Sequence, residues 1–170
     1  RIINSSRKID FIDIGGGSTE LILGDSHEER CLNSTKVGAV RLTSELITTD
    51  PISDQEFNYL KAYARGMLER SVEEVLSNIH FGEKTRLVGT SGTIETLANI
   101  HAKNASDSIP STLNGYSFTL KDLREMVSRL RKMTNSERAE IPAMPEKRSE
   151  VILAGAVILQ EAMTLLGVES

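Results

Sequence analysis

Most of the chemistry this sequence offers lies in one run: Asp13, Ile14, Gly15, Gly16, Gly17, Ser18, Thr19 and Glu20. Three glycines in a row let a backbone approach a ligand closely and take up conformations with positive φ. Successive N–H groups in such a turn form an anion-binding nest, to which the Ser18 and Thr19 hydroxyls add donors. Phosphate suits those donors. Asp13 and Glu20 flank the turn, so two carboxylates meet at one tip. There they could hold Mg²⁺ directly or through water, since this ion keeps several waters and needs few protein ligands. A plain glycine-rich turn is the competing reading. Against it, Asp13 closes an otherwise apolar strand, where an unpaired carboxylate is costly, and three glycines exceed what a tight turn requires.

A second candidate is Gly89-Thr90-Ser91-Gly92-Thr93, set between a strand and a helix. The start of a helix has free N–H groups and a partial positive charge, so Gly89, Ser91, Gly92 and Thr93 could bind phosphate. The Gly-Lys-Ser/Thr ending of a Walker loop is missing, and ordinary capping by Thr93 is the alternative. Together, the two glycine turns could grip two ends of one phosphate chain. Weaker candidates are Lys36 and Arg41, which face either a polyanion or solvent, and Arg148 with Glu150, which read as an ion pair opening a helix. His27, His80 and His101 show no metal-ligand spacing. Neither a Gly-x-Ser-x-Gly elbow nor an HExxH helix occurs.

The elements that must position these residues follow from periodicity. Residues 8–14 read as a strand apolar on both faces, 18–23 as its hairpin partner and 29–37 as a third strand after a turn at Gly24-Asp25-Ser26. Ser53 and Glu56 form a capping box with Ile52 and Phe57 as a hydrophobic staple, opening a long helix that ends near 80–82. A short buried strand is expected at 86–89, a helix at 93–101, and a polar loop at 103–117 with a mobile tip. Thr119 caps a further helix. The last helix, 148–166, is apolar nearly all round and stops at Gly167. The sum is a mixed α/β domain whose sheet opens with a three-stranded meander.

At 170 residues the chain amounts to one domain, and with 39% hydrophobic and 26% charged residues it can build a core and a polar surface. A formal charge of −4, without a long basic tract, argues against nucleic acid or a membrane surface as partner. No apolar run reaches the ~18 residues of a membrane span. The single cysteine, Cys31, excludes an internal disulfide and reads as a small buried residue in a cytoplasmic protein. The abrupt start at Arg1-Ile2-Ile3 suggests a piece of a longer protein.

FIDIGGGSTEL at 11–21 resembles the Ppx/GppA family of exopolyphosphatases and guanosine pentaphosphate phosphohydrolases. KVGAVRLTSEL at 36–46, LVGTSGTIETLA at 87–98, NGYSF at 114–118 and RSEVILAGAVIL at 148–159 resemble further family segments, in family order. The resemblance implies the ribonuclease-H-like fold of the actin, sugar-kinase and Hsp70 superfamily, with residues 1–170 as the second of two such domains. It also implies that Asp13 lies near the metal and attacking water, with Gly15 to Ser18 as a phosphate loop. Glu20 follows as an acidic metal ligand, and Gly89 to Thr93 as the later turn supporting the cleft. The family's first phosphate loop and its general-base glutamate precede this stretch, so the isolated chain is expected to be inactive without the N-terminal domain. Implied partners are inorganic polyphosphate or guanosine pentaphosphate, Mg²⁺, and a second copy in a homodimer. The competing readings are a guanosine pentaphosphate hydrolase, a non-catalytic phosphate or alarmone sensor and, more distantly, a sugar kinase.

Overall fold

The computed structural model describes residues 7–24, 28–106 and 111–170. Apolar residues place β1 at Arg7–Ile14, and the glycines turn it back into β2 (Thr19–Gly24). β3 (Glu29–Thr35) completes the expected meander, ending two residues before the expected limit at Val37. The turn expected at Gly24-Asp25-Ser26 lies largely outside the described residues. β1 pairs antiparallel with β2, and β2 with β3, whereas β4 (Lys84–Thr90) runs parallel to β1 on its other side. The order β3-β2-β1-β4 is a mixed sheet.

A parallel pair needs a long crossover, which α1 (Ala39–Leu46) and α2 (Asp54–Ser77) supply between β3 and β4. The remaining helices are α3 (Gly92–Ser106), α4 (Leu120–Leu130), α5 (Asn135–Ala139) and α6 (Ile152–Leu166). Alternate side chains on one sheet face, Ile12 and Ile14 of β1, Leu21 and Leu23 of β2 and Cys31 of β3, are buried in the core with these helices. On the other face Phe11 and Ile22 are half-buried and Leu32 is 54% exposed. β1 is therefore less evenly covered than its sequence suggests. Among the described residues no helix is long and apolar enough to cross a membrane.

The local signals hold where the chain itself supplies both partners. Ser53 and Glu56 form the capping box of α2, and the staple residues Ile52 and Phe57 are both buried. Thr119 caps α4 with Asp122, and α6 stops at Gly167 with φ 68°, a conformation suited to glycine. α6 is buried from Ile152 to Met163 and packs against α2 and α4.

Three helix boundaries differ, and one helix is new. α2 ends at Ser77, before the expected 80–82, and α3 continues to Ser106 into the expected loop. The tip of that loop at Pro110 lies outside the described residues. α6 begins at Ile152 because residues 146–151 form turns, with Arg148 N–H donating to Pro145 O at 2.9 Å. α1 is absent from the sequence reading for a physical reason. Its N-cap, Gly38, supplies no side-chain acceptor. Its first-turn donors are satisfied from elsewhere, as Ala39 N–H reaches Gly15 O at 3.0 Å and Arg41 N–H reaches Gly16 O at 2.9 Å.

Candidate functional site

The glycine turn after β1 is built by its contact with α1. Gly15 N–H closes it on Ser18 O at 2.9 Å. The carbonyls of Gly15 and Gly16 accept from α1, and Gly17 O accepts from Arg41 Nε at 3.3 Å. A trans peptide holds its C=O and N–H in opposite directions. Three consecutive carbonyls pulled toward α1 therefore turn the N–H groups of Gly16, Gly17 and Ser18 away from it. Those three N–H groups meet no backbone acceptor among the described residues. The sequence suggests a nest at this place, with positive φ, but none of Gly15, Gly16 and Gly17 adopts it. What glycine provides here is close approach. A Cβ on Gly16 would lie 3.1 Å from Val40 Cγ2, and one on Gly38 would lie 2.5 Å from the Gly16 carbonyl carbon and oxygen.

The two hydroxyls expected to bind phosphate both donate to acceptors of the protein itself. Ser18 Oγ donates to Glu20 Oε1 at 2.7 Å, and Thr19 Oγ1, buried, donates to Val37 O at 2.7 Å. Ser18 thus offers an anion its N–H, while Thr19 holds the strand to the segment before α1.

Asp13 and Glu20 stand directly opposite each other in the β1–β2 register, flanked by Thr90 and Ser34 from the outer strands. Thr90 Oγ1 donates to Asp13 Oδ2 at 3.3 Å, and Ser34 Oγ donates to Glu20 Oε1 at 2.7 Å. Like charges facing across an antiparallel pair repel. Among the described residues neither carboxylate has a Lys or Arg partner, and Asp13 is exposed. One oxygen of each, Asp13 Oδ1 and Glu20 Oε2, is left without a protein donor. Free carboxylate oxygens are the ligand type that a hard divalent cation takes alongside water. No larger cluster of His, Cys, Asp or Glu gathers among the described residues.

The second turn joins β4 to α3 at the same end of the sheet. Ser91 takes φ 115°, unusual for a residue with a side chain. Its carbonyl accepts the first helical bond, from Glu95 N–H at 2.9 Å. The N–H groups of Gly92, Thr93 and Ile94 precede that bond and so have no partner within the helix. Thr93 is not the cap that its sequence position suggests. It lies inside α3, buried, with Cγ2 against Gly155. Gly89 also serves packing, since a Cβ there would lie 2.6 Å from Ile94 Cγ2.

Arg148, a weaker candidate from the sequence, is placed otherwise than its neighbours suggest. The expected ion pair with Glu150 does not form. Instead the guanidinium crosses to the start of α3, where a Cβ on Gly92 would lie 2.1 Å from its Nη2, and Nη1 donates to Thr93 Oγ1 at 3.4 Å. Among the described residues it meets no carboxylate. A cation at the positive end of a helix is unfavourable by itself, and an anion bound there would be attracted by both. Nothing near Arg148 in sequence signals this, because Thr93 is 55 residues away.

Most of the other candidates sit apart. Lys36 is exposed, and Arg41 pairs with Glu45 at 3.2 Å besides touching the glycine turn. His101 Nδ1 meets the Tyr116 hydroxyl at 2.7 Å, and His80 lies 3.8 Å from Glu83. His27 lies outside the described residues. Cys31 is a buried free thiol whose pKa burial pushes up.

The chain has recognisable relatives among known proteins. The sequence matches the Ppx/GppA phosphatase family over residues 2–170. It is 31% identical to Exopolyphosphatase 1 of Mycobacterium leprae over 98% of this chain and 48% of that protein. It is 33% identical to Exopolyphosphatase 2 of Mycobacterium tuberculosis, over 88% and 45% of the two. A guanosine-5'-triphosphate,3'-diphosphate pyrophosphatase of Aeromonas hydrophila is 29% identical over 94% of this chain and 30% of its own length. The chain therefore spans about half the length of its exopolyphosphatase relatives. In structure it superposes on an Aquifex aeolicus Ppx/GppA protein with a TM-score of 0.80, at 24% identity over 95% of this chain and 50% of that one. An exopolyphosphatase from Cytophaga hutchinsonii superposes with a TM-score of 0.78, at 24% identity over 95% and 51%. The fold is the expected ribonuclease-H-like fold, and the chain belongs to the Ppx/GppA phosphatase family.

Proposed function

We propose that this chain is the phosphate-binding half of an exopolyphosphatase that releases terminal phosphate from inorganic polyphosphate. The observation that carries the reading is the outward row of N–H groups at Gly16, Gly17 and Ser18, set beside Asp13 and Glu20. The row offers three donors without a charge, suited to phosphate oxygens. Across the site the α3 start and Arg148 offer a second anion position. A chain of phosphates is a ligand that could occupy both.

Asp13 and Glu20 are the pair that would hold Mg²⁺. When bound, the ion would neutralise charge on the phosphate oxygens, which is most of what phosphoryl transfer asks of a protein. The residues of this chain position and neutralise. Ser18 and Ser34 orient Glu20, Thr90 orients Asp13, and α1 holds the turn. The group that activates the attacking water is expected outside these residues, as is the first phosphate loop. Isolated, the chain binds phosphate without turning it over.

A full-length protein containing these residues provides the test. Phosphate release is measured from long-chain polyphosphate and from guanosine pentaphosphate, with and without Mg²⁺. Mg²⁺-dependent release from polyphosphate, lost in Asp13→Asn and in Glu20→Gln with folding intact, is the expected result. Faster release from guanosine pentaphosphate would reassign the substrate in line with the Aeromonas relative. Tight binding with no release from either would make the protein a sensor.

A further inference from the structure

Arg138 of α5 is only 5% exposed, although it carries a full charge. Its Nε donates to Ser149 O at 3.0 Å, and its Nη1 donates to Met133 O at 3.1 Å and Leu130 O at 3.4 Å. Nη2 lies 3.8 Å from Asp50 Oδ1, whose carboxylate is shared with Asn135 N–H at 2.9 Å. Three carbonyls and a shared carboxylate are modest compensation for a buried guanidinium, and for stability alone an apolar side chain of the same volume often does as well. What an apolar side chain cannot do is clamp backbone.

The clamped carbonyl belongs to the residue after Arg148. Around it, Arg148 N–H donates to Pro145 O at 2.9 Å, and Arg148 O accepts from Ile152 N–H at 2.9 Å. These bonds shape the turn and tie it to the start of α6. Arg138 ties it from another side, because its other bonds go to the end of α4 and to the segment before α2. We propose that Arg138 is a positioning residue for anion binding: by holding the Ser149 carbonyl it keeps the Arg148 guanidinium over Gly92 at the start of α3. This rests on the reading that the site binds phosphate.

A double-mutant cycle separates the two ideas. Affinity for inorganic tripolyphosphate is measured by calorimetry on the wild-type chain, Arg138→Lys, Arg148→Ala and the double variant, with melting temperatures recorded in parallel. Arg138→Lys is expected to weaken binding about tenfold alone and to add nothing in the Arg148→Ala background, since coupled residues depart from additivity. A merely structural Arg138 would lower the melting temperature of both backgrounds and leave the coupling at zero. Should Arg138→Lys not fold, Arg138→Gln, which keeps an N–H donor without the charge, is read in the same way. Equal losses in both backgrounds, or none in either, overturn the positioning role while leaving phosphate binding in place. A wild-type chain that does not bind tripolyphosphate overturns both.

Discussion

The turns at the carboxyl ends of β1 and β4 lie side by side, yet they prepare for an anion by opposite means. The first is uncharged and made of backbone, its three carbonyls drawn to α1 and Arg41 so that its N–H groups face out. The second combines a helix start with a cation brought from a distant segment, and it accepts an unusual backbone at Ser91. The first needs a neighbour pressed against it, and the second needs a long side chain held in place. Substitution should therefore damage them differently.

The largest effect is expected at Gly38. A Cβ there would lie 2.5 Å from backbone atoms of Gly16 and 2.6 Å from Gly17 C, none of which can rotate away. Gly38→Ala should cost about 1–3 kcal/mol of stability in urea unfolding and weaken tripolyphosphate binding with it. An unchanged midpoint would mean that α1 does not set the shape of the turn.

Gly92→Ala makes the contrast. Its Cβ meets the end of a flexible side chain, Arg148 Nη2 at 2.1 Å, so the guanidinium has to move and the backbone does not. Folding should be nearly unchanged while tripolyphosphate affinity falls about tenfold, as expected for one charged hydrogen bond. If affinity holds, the cation is not part of the site.

Gly17→Ala sharpens the comparison from the other side. Nothing lies within 4 Å of a Cβ at Gly17 and its φ is not positive. Stability should stay within about 0.5 kcal/mol of the parent, so any loss of affinity, read by calorimetry, reports on the ligand position alone.

The smallest effects belong to two surface carboxylates. Arg30, at 2.8 Å, is the main cause holding Glu83 down to about 2, and hydroxyls of Thr48 and Thr49 do the same for Glu56. A carboxylate held low in the folded protein adds stability that is complete above its ordinary value and lost as the pH falls through the folded one. Melting temperature should thus decline between 4.5 and about 2. Glu83→Gln should flatten part of that decline and leave tripolyphosphate affinity at neutral pH unchanged.

How much was legible in advance can be argued residue by residue. The glycine turn, the opposed Asp13 and Glu20, the capping box at Ser53, the staple of Ile52 and Phe57 and the stop at Gly167 all depend on residues near each other in the chain. Their spacing carries them, and the sequence by itself determined the mixed α/β class, the family resemblance and both candidate turns. The inward hydroxyl of Thr19 and the burial of Thr93 were not legible, because each is decided by which remote segment packs against it: Val37 in one case and Gly155 in the other. For the same reason α1 escaped notice, its caps being carbonyls from the glycine turn and not its own side chains. Only the tertiary structure brought Arg148 to Gly92 and Arg138 to Ser149. Local periodicity records which face of an element is apolar; which charge crosses to which helix end depends on how those faces dock.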